Sequence, residues 1–283
     1  MSENTSLDSL KEWVQKQDHL PYDNIDDHLL SRFLHCSNNS IEQTKMTLEK
    51  FFTMRGDSQE FFQNRDPLLP SIQNVFKIID IIPLPKTTPE GFKVFVYRLE
   101  DPDPDKFNHL DYVRTFFDIA DTRIKTEKEL PSGEVPIFDM TGFSLRHMTR
   151  LSLPSLRKQM QYVQEAHPVK LRQIHIINTL PILERVMMLF RPLMKKDVAQ
   201  MLHFHLPNST TLFDFIPKEI LPNEYGGQAG TLKELKQIWV NKVISEREWL
   251  ISNPWHADES KRATRRNSEN NVMEGSFRSL SID

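Results

Sequence analysis

With 283 residues, 38% of them hydrophobic, the chain is long enough to build one large domain or two ordinary ones around a real core. A formal net charge of -3 with 27% charged residues argues against nucleic acid as a main partner, because phosphate binding needs a basic excess. The single cysteine, Cys36, cannot form an internal disulfide or anchor a zinc site alone, and the eight glycines form no phosphate or dinucleotide cradle.

A reducing, intracellular setting fits this composition, with neither a secretory signal nor a membrane span expected. Leu7, Leu10 and Val14 recur at helical spacing. After a turn at Pro21, Leu29, Leu30, Phe33 and Leu34 mark a second helix, and Ser40 with Gln43 starts a third that carries Leu48, Phe51 and Phe52. Residues 1–65 therefore read as a helical module. From about residue 71 the pattern becomes α/β, with strands predicted at Ile78 to Pro83, Phe92 to Leu99, Val135 to Met140, Arg172 to Asn178 and Thr211 to Ile216. Thr87 to Gly91 closes a hairpin between the first two. One helical stripe joins Val113, Phe116, Phe117, Ala120 and Ile124; another joins Leu153, Leu156, Met160 and Val163. A last helix covers Leu232 to Leu250, ending a second unit at 71–250, and residues 253–283 read as a disordered polar tail. In that tail Arg265, Arg266 and Ser268 form either a kinase target or an ordinary solvated triplet.

The most informative segment runs from Leu180 to Met201. At about 100° per residue, Leu183, Val186, Met187, Phe190 and Met194 share one sector, while Met188 and Leu189 lie on the far side near Arg185. Two apolar surfaces need two apolar neighbours: protein on both sides, as in a buried helix, or protein on one and lipid on the other. Pro192 places a break in the helix at which it can hinge. Lys170, Arg172, Arg185, Arg191, Lys195 and Lys196 make the neighbourhood positive, as a solvated face or as a weak attachment to an anionic leaflet. His175, His203 and His205 read as structural, and Asp139 reads as a cap at a strand end, with no catalytic or metal-binding residue expected.

Several linked stretches resemble the CRAL-TRIO lipid-binding domain family: Leu29-Leu30-Ser31-Arg32-Phe33-Leu34, Phe138-Asp139-Met140-Thr141-Gly142, His167-Pro168-Val169-Lys170-Leu171-Arg172, Ile174-His175-Ile176-Ile177-Asn178 and the closing Ile220-Leu221-Pro222-Asn223-Glu224-Tyr225-Gly226-Gly227. The likeness covers about residues 5–250 and is closest to the branch that carries tocopherol and retinaldehyde, with its clavesin relatives. It implies an α/β fold in which an N-terminal helical domain precedes a lipid cage with a mixed β-sheet floor, flanking helices and a mobile gate helix.

By that resemblance the ligand pocket is lined by Val113, Phe116, Ala120, Phe138, Leu151, Tyr162, Val163 and Ile176; the apolar sectors read from helical spacing add Phe117 and the gate's Leu183, Val186, Met187, Phe190 and Met194, with Met188 and Leu189 facing the membrane. Arg55, Lys170 and Arg172 match basic positions that hold phosphatidylinositol bisphosphate in the tocopherol carriers. Asp197 and Met201 replace two further basic positions, for which Arg191, Lys195 and Lys196 partly substitute. Phe116 and Ala120 stand where small hydroxyl residues serve the tocopherol headgroup, so vitamin E is not assigned. The expected function is that of a monomeric, non-enzymatic cytoplasmic carrier of one hydrophobic small lipid. It would need no cofactor and would exchange its cargo at phosphoinositide-bearing membranes, endosomal ones among the candidates. The rivals are a phosphoinositide-sensing adaptor without cargo and a lipid-modifying enzyme.

Overall fold

The computed structural model describes residues 3–179 and 183–262. The Arg265, Arg266 and Ser268 triplet, and Leu180 and Pro181 at the start of the expected gate segment, lie outside the described residues.

Four helices open the chain: α1 (Glu3–Gln15), α2 (Asp27–Cys36), α3 (Ile41–Asp57) and α4 (Gln59–Phe62). Their starts follow local chemistry. Asp26 accepts a hydrogen bond from the Leu29 amide at 2.8 Å and Ser40 accepts one from Gln43 at 3.3 Å, each satisfying an amide that the first helical turn leaves open. Between α2 and α3 the chain reverses through Asn38 and Asn39, whose positive φ values of 51° and 61° suit the short polar side chain of asparagine. Leu10, Val14, Leu29, Leu30, Phe33, Leu34, Leu48, Phe51 and Phe52 close the module's interior.

Helix α5 (Pro70–Ile78) runs directly into β1 (Ile79–Thr87), which pairs antiparallel with β2 (Phe92–Leu99) through a turn at Gly91, φ 79°. The long helix α6 (His109–Thr126) then leads to β3 (Gly133–Asp139), and α7 (Leu145–Thr149) and α8 (Leu153–Glu165) lead to β4 (Ile174–Ile177). After α9 (Leu183–Phe190), a single 3-10 turn at Arg191–Leu193 and α10 (Lys196–Ala199), β5 (Leu202–Phe204) completes a mixed sheet in the order β1-β2-β3-β4-β5. The pairings from β2 onward are parallel, so Val96, Ile137, His175 and His203 stand in one row across the sheet. Two more helices, α11 (Leu232–Ser245) and α12 (Arg247–Ser252), follow.

Three expectations change. Thr211 to Ile216 is not a strand: Thr211–Asp214 is a 3-10 turn that buries Leu212, Ile216 is buried just beyond it, and the fifth strand is the short Leu202–Phe204. The closing helix breaks at Glu246, giving α11 and α12. The segment after Asn253 is not wholly peripheral either, since Trp255 and Ala257 are 5% exposed and pack into the core of the N-terminal module. The indole of Trp255 donates to the Asn24 carbonyl at 3.1 Å, and the Ala257 amide donates to Phe52 at 3.0 Å, which pins this stretch across the helices.

Candidate functional site

Among the described residues, two of three apolar clusters consist mainly of buried side chains, with partly buried ones at their edges. The third is different: only Met140, Ile176 and Val186 are buried, while Phe138, Phe143, Met148, Leu183, Met187, Phe190 and Leu202 are partly exposed. Its floor comes from β3, β4 and β5, one side from the turn and helix after β3, and its roof from α9.

The roof is short because Pro192 cannot donate a backbone hydrogen bond and disfavours helical geometry at the residue before it. Helix α9 therefore ends at Phe190, a 3-10 turn covers Arg191–Leu193, and Met194 is extended with ψ 139°. The helical segment expected to reach Met201 is thus three pieces. On α9, Leu183, Val186, Met187 and Phe190 meet the cluster; Met188, 69% exposed, projects the opposite way, and Leu189 is half-buried.

Both approaches to the roof are fixed by polar contacts. On the N-terminal side Asn178 adopts φ 54° while its amide donates to Asp139 Oδ1 at 2.9 Å. Asp139 also accepts from the Thr141 amide at 2.9 Å and from the Tyr225 hydroxyl at 2.9 Å, so it holds the ends of two strands and the closing turn together. Thr179 donates from both its amide and its hydroxyl to the His205 carbonyl at 3.1 Å. His205 Nε2 lies 2.9 Å from His175 Nδ1, and its Nδ1 lies 2.7 Å from Thr211 Oγ1, a chain that uses these rings as structural partners. On the C-terminal side Gln164 and Glu165 of α8 meet Leu193 and Lys195.

A CRAL/TRIO domain profile matches residues 80–227, over half of the chain. The chain belongs to the CRAL/TRIO family. A Pinta-like UBA domain profile matches residues 2–72 of this CRAL/TRIO chain. Human alpha-tocopherol transfer protein-like is 24% identical over 226 residues, covering 80% of the chain and 66% of that relative. The mouse protein of the same name is 25% identical over 228 residues, covering 80% and 65%. Human clavesin-2 is 24% identical over 204 residues, covering 71% and 62%. The CRAL/TRIO chain thus spans somewhat under two thirds of these relatives' own length. Among solved structures, the crystal structure of Sfh5 superposes with a TM-score of 0.51 at 10% identity, covering 88% of the chain and 99% of Sfh5, which shows a shared fold. No helix among the described residues is long and apolar enough to cross a membrane.

Within the CRAL/TRIO domain the expected pocket residues divide. Phe138, Ile176, Leu183, Val186, Met187 and Phe190 come together in the roofed cluster, and Phe116 reaches it indirectly, through Tyr97, which stacks on Phe138 at 4.9 Å. Val113, Phe117, Tyr162 and Val163 instead pack against the N-terminal helices: Phe117 lies 4.7 Å from Phe62 and 4.9 Å from Tyr162, ring to ring. The stripe on α6 is wide enough to serve two neighbours, and α4 takes this part of it. Ala120 is buried, while Leu151 and Met194 are half-buried outside the roofed cluster. Met140, Phe143, Met148 and Leu202 joined it without a periodic signal, since they sit at a strand end, in a turn, on a five-residue helix and in a three-residue strand.

Arg55 is not available to a lipid headgroup, which corrects its expected role. Its guanidinium is 0% exposed and donates to the Trp255 carbonyl at 2.6 Å, to Asp121 Oδ1 at 3.1 Å and to the Tyr162 hydroxyl at 3.0 Å. Lys170 is half-buried and Arg172 is exposed, donating to the Ser132 carbonyl at 3.1 Å; Arg191, Lys195 and Lys196 are exposed. A polar cleft of about 170 Å³ opens between α3 and α8, lined by Cys36, Lys50, Gln164, Glu165, His167 and Lys195 among others; its lining does not suit an acyl chain. Burial and the nearby Glu134 hold the Cys36 thiol up at about 12, so it stays protonated and a poor nucleophile.

Proposed function

We propose that this CRAL/TRIO chain carries one hydrophobic small lipid in the apolar cluster under α9 and exchanges it at a membrane surface. The observation that carries this reading is the half-closed state of that cluster: an apolar floor of three strands covered by an eight-residue helix from which Met188 projects outward, with Leu189 half-buried beside it. Cargo enters by displacing side chains, and Met140, Met148 and Met187 supply flexible thioethers that repack at low cost. The names of the alpha-tocopherol transfer protein-like relatives point the same way.

Enclosing about 400 Å² of ligand apolar surface contributes roughly 10 kcal/mol before entropy losses, enough to make escape into water slow. Release therefore needs an environment that stabilises the open roof, and lipid against Met188 and Leu189 provides one. Lys170, Arg172, Arg191, Lys195 and Lys196 supply the basic side of the attachment. At about 1 kcal/mol per residue near an anionic leaflet, they give reversible, salt-sensitive binding to phosphoinositide surfaces. Tocopherol is not assigned as cargo, because Phe116 brings an aromatic ring to the approach to the cluster.

Native mass spectrometry of the full chain after incubation with mixed-lipid vesicles tests the reading. One intact lipid per chain, recovered unchanged, supports a carrier; a chemically altered lipid identifies an enzyme; vesicle attachment with no lipid retained identifies an adaptor.

A further inference from the structure

We propose that Gln164 and Glu165 are positioning residues that latch the C-terminal hinge of the roof helix and tie it to the N-terminal helices. The inference deepens the carrier reading, on which its functional meaning rests, and it assigns α8 a role that neither the apolar pocket nor the basic surface includes.

The Gln164 side chain does what a neighbouring strand would do. Its Nε2 donates to the Leu193 carbonyl at 2.9 Å while its Oε1 accepts from the Lys195 amide at 2.7 Å. Met194 and Lys195 are extended, with ψ of 139° and 152°, so the carbonyl before Met194 and the amide after it present an acceptor and a donor to one partner. A primary amide is the side-chain group that offers a matching donor and acceptor together. The clamp lies immediately after Pro192, where the chain has already lost helical continuity.

Glu165 adds a bridge across the cleft. Its two carboxylate oxygens pair with Lys50 of α3 at 2.8 Å and with Lys195 at 3.4 Å, joining the helical module to the chain that leaves the roof. Both lysines are partly exposed, so this bridge is screened by salt, whereas the Gln164 clamp is not. Adjacent residues on one helix thus supply a salt-independent clamp and a salt-dependent strap.

Hydrogen-exchange mass spectrometry of the full chain tests the latch, with peptides covering residues 183–195 and the thermal midpoint as a global control. Gln164→Ala loses the two hydrogen bonds to the hinge and a third within α8, to the Met160 carbonyl at 2.8 Å, and should speed exchange in residues 183–195 about ten-fold to a hundred-fold with little change elsewhere. Gln164→Glu, which keeps the acceptor and turns the donor into a repulsion, should do the same and carries the test should the alanine variant fold poorly. Raising KCl from about 0.05 M to about 0.5 M should speed exchange in the parent chain and leave Glu165→Gln unmoved. Unchanged exchange at 183–195 in Gln164→Ala and Gln164→Glu would overturn the latch. Transfer of a nitrobenzoxadiazole-labelled fatty acid to phosphatidylcholine vesicles separates the two readings. Faster exchange with faster transfer supports both, and faster exchange with unchanged transfer keeps the latch while removing α9 as the gate.

Discussion

Arg55 and Asp121 meet at 3.1 Å with both side chains sealed from water, one on the N-terminal module and the other on the first long helix of the CRAL/TRIO domain. Arg65 donates to the same carboxylate at 2.6 Å and to Asp118 at 2.8 Å, so two arginines and two aspartates form a buried network where the two units join. Removing one member strands a charge in an apolar setting. Asp121→Ala should therefore lower stability by about 3–5 kcal/mol, read as a fall in the guanidinium midpoint. A loss below about 1 kcal/mol would show that water reaches the site.

Acid should weaken the fold through two histidines, His175 in the sheet and the half-buried His167 at the base of the polar cleft. His175 is wholly buried, and burial, followed by the neighbouring His205 and His203, holds it down at about 3; His167 is likewise held at about 3 by burial and then Arg123. Both folded values lie below the ordinary histidine value of about 6.5, so the unfolded chain takes up the proton first. Stability on this account is full above about pH 6.5 and declines as pH falls toward 3, by about 2 kcal/mol per histidine at pH 5. Guanidinium melts at pH 7 and pH 5 check the direction, and His175→Gln should flatten the slope; a slope as steep as the parent's would assign the acid loss elsewhere.

The outer patch of the roof should matter for delivery and not for storage. Replacing Met188 and Leu189 together with aspartate should slow transfer between vesicles about ten-fold or more while leaving the amount of lipid retained in solution unchanged. Equal transfer rates in stopped-flow fluorescence would remove α9 as the membrane-facing element.

Charge reversal at Lys170 and Arg172 should reduce sedimentation with vesicles containing phosphatidylinositol bisphosphate, most visibly at low ionic strength. Arg172 is exposed, donates to the Ser132 carbonyl and lies over the Phe92 ring at 5.8 Å, so Arg172→Gln, which removes the charge without reversing it, and a thermal melt serve as controls. Attachment equal to the parent's at low salt would eliminate this pair as a phosphoinositide site.

Truncation before Trp255 should destabilise the chain although the segment reads as polar. Trp255 is 5% exposed, lies 4.7 Å from Trp249 and donates its indole N–H to the Asn24 carbonyl at 3.1 Å, so Trp255→Ala should lose about 3–5 kcal/mol. Thermal melts of the point variant and the shortened chain would measure it.

Much of the fold was legible because its elements are periodic and bounded. The second strand has the bounds Phe92–Leu99 that its branched and aromatic run suggested, and Ser40 starts a helix as its spacing from Gln43 indicated. What escaped did so for local reasons. Leu212, Phe213, Phe215 and Ile216 look like a strand in a row, yet Leu212 and Ile216 turn inward together while Phe215 is exposed, which is helical spacing in a piece too short to declare itself. One tryptophan disappears in the averaged polarity of its neighbours, as Trp255 did. The site was half visible: α9 showed its faces through spacing, but the stripe on α6 could not say which side would meet the sheet and which the first helices, and a lone Arg55 carries no mark of burial.

Helix α6 has no face to spare. It sets Val113 and Phe117 against the opening helices, Ile119 against the packing over the sheet, and Asp118 and Asp121 into the arginine network. A party wall of this kind makes subdivision expensive: cutting the chain near residue 72 would leave either piece with greasy rings and orphaned charges on show. The two units that sequence comparison separates should therefore melt as one body, and a push on the first helices has a stiff route to the strands beneath α9.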